Sequence, residues 1–131
     1  MENTNRKIGI AAAFLGALTI LIGAYGAHGL KNIVEEQAVA SFETGVRYQM
    51  YHVFAFLILA YAIPLEAKYK KRVASLLTIG LLFFSGSIYL LVLKEYLPFD
   101  MTKFVLITPL GGMFLVVGWL YLAVSLMKAR K

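Results

Sequence analysis

Four long stretches of the 131-residue chain are almost free of charge, and they restrict its fold more than any other feature. They cover about residues 8–27, 46–63, 73–93 and 104–127, and Arg47 is their one Lys, Arg, Asp or Glu. An α-helix rises 1.5 Å per residue, so a stretch of about 20 residues crosses a hydrocarbon core of about 30 Å. With 60% hydrophobic residues, the chain also has too little polar sequence for an ordinary soluble domain. We therefore predict an all-α membrane protein, a single-domain bundle of four transmembrane helices over residues 1–131.

The first stretch has some features of a secretory signal peptide, because Arg6 and Lys7 precede it and small residues flank Tyr25. However, its apolar part exceeds the roughly 7 to 15 residues of a signal peptide, and three more apolar stretches follow. We expect it to be a retained membrane helix.

The basic residues are distributed unevenly between the two sides that four crossings define. One side receives nine: Arg6, Lys7, Lys68, Lys70, Lys71, Arg72, Lys128, Arg130 and Lys131. The other side receives four: Lys31, Arg47, Lys94 and Lys103. Because Lys and Arg in short loops stay in the cytoplasm, we predict a multi-pass protein with both termini inside. The net charge of +6 then reflects topology and attraction to anionic membrane lipids, and no motif indicates a nucleic-acid partner.

The segment between the first two spans has the pattern of an amphipathic helix. Asn32, followed three residues later by Glu35, resembles a capping box with Asn as the cap. Apolar residues then recur at close to helical spacing, while the acidic residues point elsewhere. The apolar positions are Ile33, Val34, Ala38, Phe42 and Val46. We predict a short helix on the outer membrane surface, either separate from the second span or continuous with it.

Glycines provide the clearest packing signal, because small residues let helix backbones approach closely in lipid. Along the first helix they recur every seven residues. The packing positions that we predict are Gly9, Gly16, Gly23, Gly86, Gly111 and Gly112. The first helix would then be central to the bundle or would form a contact in a homo-oligomer. We also predict that Pro109 kinks the fourth helix near its outer end.

Polar residues inside the spans are the candidate binding residues, because each is costly in lipid and normally faces a partner or a cavity. All four predicted helices carry such residues toward the outer side. The predicted cluster comprises His28, Glu43, Arg47, Tyr48, Gln49, His52, Ser85, Ser87 and Thr108. Within it, the i,i+4 spacing of Glu43 and Arg47 allows an ion pair. The alternative is structural: Arg47 reaches the interface, the tyrosines form an interfacial belt, and Ser or Thr bonds its own helix.

Several kinds of catalysis are excluded or weakly supported by the sequence. The absence of cysteine excludes disulfides, iron–sulfur clusters and thiolate sites. Two histidines, His28 and His52, are a weak signal for haem or metal. The chain has no nucleophile elbow, phosphate loop or paired-carboxylate motif. We expect a protein that is not an enzyme and holds no cofactor and no metal.

Four ordered motifs resemble one known family. They are YGAHGL from Tyr25, FETGVRYQMYH from Phe42, FSGSIY from Phe84 and ITPLGG from Ile107. This set resembles the domain-of-unknown-function family 423, which includes the animal transmembrane protein 256 and bacterial YwdK-like and YgdD-like proteins. The resemblance spans nearly the whole chain, and it implies a four-helix, multi-pass protein of the bacterial plasma (inner) membrane with no established activity. The motif residues coincide with the predicted polar cluster.

Three functions remain open at this point. The first is a non-catalytic membrane protein that binds lipid or a hydrophobic small molecule, or that supports a partner complex. The second is a small oligomeric transporter or channel with Glu43, Arg47 and His52 at an outward-facing site. The third is a haem or quinone-linked redox protein.

Overall fold

The computed structural model describes residues 2–129, and this part of the chain is helical without strands. Arg130 and Lys131, which contribute to the predicted orientation, lie outside the described residues. The helices are α1 (Glu2–Ala27), α2 (Glu36–Tyr61), α3 (Ala67–Leu81), α4 (Ser87–Val92) and α5 (Ile107–Lys128). A π-helical turn, Leu82–Gly86, joins α3 to α4 into one helical segment. Short 3-10 turns occupy the connections at Leu30–Asn32, Lys94–Tyr96 and Met101–Phe104.

Three segments are long and apolar enough to cross a membrane: Glu2–Asn32, Ala67–Val92 and Met101–Lys128. The chain is therefore a multi-pass membrane protein by the length and composition of its helices. Helix α2 has 26 residues, but it falls outside this set because polar residues lower its mean hydropathy. These residues include Arg47, Gln49 and His52.

Helices α1 and α2 run antiparallel along their full length. The glycines of α1 lie opposite a regular series of α2 side chains. The pairs are Gly9 with Tyr61, Gly16 with Val53, Gly23 with Val46, and Gly26 with Phe42. Each step of seven residues along α1 thus moves seven or eight residues backward along α2. The glycine stripe of α1 is the face that packs on α2.

Helices α3 and α5 also run antiparallel, and their backbones come into direct contact. A Cβ added at Gly111 would collide with the backbone of Phe84, and one at Gly80 would lie 2.8 Å from the backbone nitrogen of Leu115. Gly112, by contrast, would meet only the Phe84 ring at an ordinary 3.8 Å. Glycine is therefore required for close approach at Gly80 and Gly111, because a side chain there would push the two helices apart.

The core consists of two apolar clusters at different levels. The larger cluster joins all the long helices around Phe56, Leu77 and Leu115. The smaller one, around Leu30 and Phe42, lies where α1 turns into α2. Large apolar side chains outside these clusters remain exposed, including Phe14 and Leu106 at 76% and 77%. Such apolar surfaces are typical of helices that face lipid.

Two local predictions are wrong. Asn32 does not cap a helix: it ends a 3-10 turn in which Ile33 N–H and Val34 N–H both bond to the Leu30 carbonyl. Helix α2 begins only at Glu36, and the predicted amphipathic segment is the first part of this one continuous helix.

Pro109 does not kink a helix interior, because α5 starts at Ile107 and Pro109 lies in its first turn. Proline is tolerated there, since first-turn N–H groups have no partner within the helix.

Candidate functional site

Gln49 of α2 joins three helical segments through its side-chain amide. Its Nε2 donates to Thr19 Oγ1 of α1 at 2.7 Å, and its Oε1 accepts from the Tyr89 hydroxyl of α4 at 2.7 Å. Thr19 in turn donates to the Leu15 carbonyl of its own helix at 2.6 Å. Gln49 is 4% exposed and Thr19 is 1% exposed, so water does not compete for these bonds. Both ends of the amide are thus held, and the network fixes its orientation.

The π-helical turn between α3 and α4 is anchored on both sides. Ser85 donates to the Gly45 carbonyl of α2 at 2.8 Å. Ser87 bonds Thr108 at the start of α5, and it also donates to the Phe84 carbonyl at 3.0 Å. A π-helical turn is frequently found at a functional site, because it redirects the side chains that follow it. Here it directs Ser85 toward α2 and Tyr89 toward Gln49.

The side chain of His52 on α2 is buried against α5, and both of its ring nitrogens form hydrogen bonds. Trp119 Nε1 lies 3.2 Å from His52 Nε2, and the indole N–H can only donate. His52 Nε2 is therefore the acceptor, and Nδ1 carries the proton that it donates to the Tyr48 carbonyl at 2.7 Å. Ligation of a haem iron by either nitrogen would break one of these bonds.

The remaining members of the predicted cluster do not join the buried network. His28, Glu43, Arg47 and Tyr48 are exposed. The predicted ion pair between Glu43 and Arg47 is wrong: Arg47 Nη2 donates to Thr44 Oγ1 at 3.2 Å. Over residues 2–129 the one ion pair joins Lys68 to Glu66 at 3.9 Å. An exposed ion pair contributes little free energy, because water screens the two charges. Arg47 therefore loses little by bonding Thr44 instead of Glu43.

The sequence prediction missed four residues whose side chains form hydrogen bonds between helices: Thr19, Lys70, Tyr89 and Trp119. Thr19 lies between Gly16 and Gly23 at helical spacing, and this position on the packing stripe was a usable signal. Lys70 was counted as a loop charge, yet it is 3% exposed and donates to Asn5 Oδ1 at 3.0 Å and the Ala60 carbonyl at 3.1 Å. It thereby ties the start of α1 to the end of α2, where a cation is favoured by the helix dipole.

An apolar groove of about 450 Å³ lies between α1 and the segment formed by α3 and α4; we call it the α1–α3 groove. Gln49 and Phe56 of α2 form its floor, and exposed Leu18 and Leu82 stand at its edges. Most of the lining is aliphatic or aromatic. The polar contributions come from Gln49, Thr78, Ser85 and Tyr89. Gln49 and Tyr89, which form the hydrogen bond between α2 and α4, therefore both contribute to the lining of this apolar groove.

Gly86 faces this groove. A Cβ at Gly86 would have no atom within 4 Å, so this glycine does not lie at a helix–helix contact within the described chain. Its lack of a side chain leaves the groove open.

A second, more polar cavity of about 770 Å³ lies between the start of α2, the end of α4 and the connection to α5. Charged residues at its rim include Glu35, Lys94 and Glu95. Of the predicted cluster, only Thr108 contributes to it. The polar residues selected from the sequence therefore do not form a single outer site.

The long apolar helices and their exposed apolar faces define a multi-pass helical membrane protein. The chain belongs to the family described as protein of unknown function (DUF423), whose sequence model matches residues 22–112. This match confirms the resemblance to family 423.

Relatives from several bacteria extend this similarity over most of the chain. A UPF0382 membrane protein of Haemophilus influenzae is 36% identical over 90% of this chain and 91% of its own length. YwdK, a UPF0382 membrane protein of Bacillus subtilis, is 31% identical over 91% of this chain and 94% of its own length. The UPF0382 inner membrane protein YgdD of Escherichia coli is 30% identical over 98% of this chain and 95% of its own length. No solved structure matches the chain.

Proposed function

We propose that this protein binds one elongated, lipid-soluble molecule in the α1–α3 groove, with a carbonyl or hydroxyl group of that molecule near Gln49. The observation that carries the proposal is the combination of an aliphatic lining with a few polar groups on the floor and one wall. This is the usual composition of a small-molecule site, in which apolar contacts supply affinity and a few polar groups fix orientation.

The shape of the groove selects an elongated occupant. On α1 the lining extends from Ile8 to Ile22, a rise of about 21 Å along the helix. A hydrocarbon chain suits this length better than a compact ring system. At its floor, the Gln49 amide uses one N–H for Thr19 and retains a second donor for the bound molecule.

We propose that α2 also crosses the membrane, which gives four crossings with both termini in the cytoplasm. With this topology, a lipophile can enter the groove from the bilayer. The antiparallel contacts of α1 and α2 support this arrangement, because a helix that follows a membrane-spanning neighbour over its full length shares its depth. The α1–α3 groove then opens sideways into lipid. We also propose the bacterial inner membrane as the location, since the Escherichia coli relative is named an inner membrane protein.

The other two hypotheses receive less support. A transport site built from Glu43, Arg47 and His52 would need these side chains to converge, but two are exposed and His52 is buried against Trp119. A haem site would need a histidine nitrogen without a hydrogen-bond partner. His52 does not offer one.

The test compares the molecules that co-purify with the wild type and with Gly86→Leu, whose side chain would project into the groove and obstruct it. Ala123→Leu, on an exposed position of α5 outside the groove, is the matched control. Native mass spectrometry after gentle detergent exchange should find a bound lipophile in the wild type and the control, and lose it in Gly86→Leu. An empty wild-type protein, or equal retention in Gly86→Leu, would contradict the proposal.

A further inference from the structure

A third pocket, of about 380 Å³, lies where α3 begins and α5 ends. Its lining includes two cations, Arg72 and Lys128, and three hydroxyl groups, from Tyr69, Tyr121 and Ser125. No carboxylate contributes to the lining supplied by residues 2–129. The pocket thus has the donors and the charge that an anion requires.

Arg72 is held in this pocket by aromatic side chains rather than by an acid. Its Nη1 donates to the Tyr121 hydroxyl at 3.0 Å, and its guanidinium carbon lies 5.8 Å from the centre of the Tyr69 ring. This arrangement uses one of the five guanidinium N–H donors. An arginine positioned in this way is prepared for bidentate contact with a phosphate.

The position of the pocket along the helices matches the membrane interface. Helix α5 has 22 residues, a length of about 33 Å, so Lys128 at its end lies near the headgroup level if the helix crosses the bilayer. Tyr69 and Tyr121 are suited to this level, where aromatic side chains are enriched. Val124 lines the pocket, and the neighbouring Met127 is 71% exposed, so apolar surface lies beside the cations.

We propose that this pocket binds the phosphate headgroup of an anionic phospholipid, whose acyl chains lie along the exposed apolar side of α5. The cations attract the phosphate, and the hydroxyl groups of Tyr121 and Ser125 supply further donors at the same level. The proposal requires only that α3 and α5 reach the interface at this end. It does not depend on what occupies the α1–α3 groove.

The test measures binding of phosphatidylglycerol, with phosphatidylcholine as the neutral comparison, to the full chain in detergent by native mass spectrometry. A charge-assisted hydrogen bond to the phosphate contributes about 1 kcal/mol or more, which is about fivefold in affinity. Arg72→Gln and Lys128→Gln should each weaken phosphatidylglycerol binding at least fivefold. Lys71→Gln, which removes an exposed charge outside the pocket, should weaken it less than twofold. Tyr121→Phe should weaken it about threefold without any change in charge, because Arg72 loses its positioning bond.

Three results would overturn the proposal. Equal losses in Lys71→Gln and Arg72→Gln would indicate diffuse surface charge, and equal binding of the two lipids would exclude headgroup recognition. Displacement of phosphatidylglycerol by millimolar inorganic phosphate would assign the pocket to free phosphate instead. Circular dichroism and gel filtration would establish whether each variant is folded. Arg72→Lys, which keeps the charge but not the bidentate geometry, should retain intermediate affinity.

Discussion

The Tyr89 hydroxyl donates to Gln49 Oε1 at 2.7 Å and thereby links α4 to α2, while the other end of the same amide binds Thr19 on α1. The bond also lies at the wall of the α1–α3 groove, since both residues line it. One side-chain amide therefore holds three helical segments and contributes a polar group to the proposed binding site.

Removing this link should destabilise the protein. Tyr89→Phe leaves Gln49 Oε1 without its donor in a water-poor environment, and we expect a loss of about 1 kcal/mol, within the range for polar bonds between membrane helices. Tyr51→Phe, at a 57% exposed ring on the same helix as Gln49, is the control and should change stability by less than about 0.5 kcal/mol. Unfolding of both variants in detergent would measure the difference, and equal losses would contradict the assigned role of the bond.

Substitution by alanine should have opposite effects on stability at Gly111, which lies at a helix contact, and at Gly86, which does not. Gly111→Ala places a Cβ against the backbone of Phe84, which cannot move without separating α3 from α5, so we expect a loss of about 1 to 3 kcal/mol. Gly86→Ala meets no atom within 4 Å and should gain up to about 1 kcal/mol from helix propensity. Thermal unfolding in one detergent would compare them. A destabilised Gly86→Ala would contradict the open space at Gly86 and hence an open groove.

The bond between His52 and Trp119 predicts a spectroscopic effect, because Trp119 is the one tryptophan in the chain. His52→Leu removes the acceptor of the indole N–H, so we expect a changed emission maximum and a stability loss of about 1 kcal/mol. His52→Gln retains a side-chain acceptor and should have the smaller effect. Identical spectra for all three proteins would show that the indole does not bond this histidine.

The topology can be tested with single cysteines, since the chain contains none. With four crossings, Glu35→Cys and Glu95→Cys face the periplasm, and Glu66→Cys faces the cytoplasm. A membrane-impermeant thiol reagent added to spheroplasts should label the first two and spare the third. Labelling of Glu66→Cys from outside would mean that α2 does not cross the bilayer.

The helical class and the long apolar segments were predictable because lipid demands uncharged stretches of fixed length, and charges leave visible gaps between them. Gln49, His52 and Ser85 could be selected as candidate binding residues because a polar side chain inside an apolar span is costly in lipid. Their partners were not predictable. The π-helical turn at Leu82–Gly86 alters the rotation of the residues that follow it, so the pairing of Tyr89 with Gln49 does not follow from α-helical spacing.

The same limitation explains the exposed members of the predicted cluster. Glu43 and Arg47 lie on the same helix as Gln49, but on an exposed face that no other helix of the described residues covers. Depth can be counted along a sequence at a fixed rise per residue. The direction in which each face points is decided by packing, here by the glycine stripe of α1 against α2.

Photo-crosslinking with a diazirine-bearing fatty acid in native membranes tests the central claim most directly. If the α1–α3 groove holds an elongated lipophile, peptide mapping should find adducts concentrated on groove residues such as Leu15, Ser85 and Tyr89, and Gly86→Leu should suppress them. Adducts spread evenly over exposed lipid-facing positions such as Val116 and Leu120, and unchanged by Gly86→Leu, would contradict a binding function for the groove.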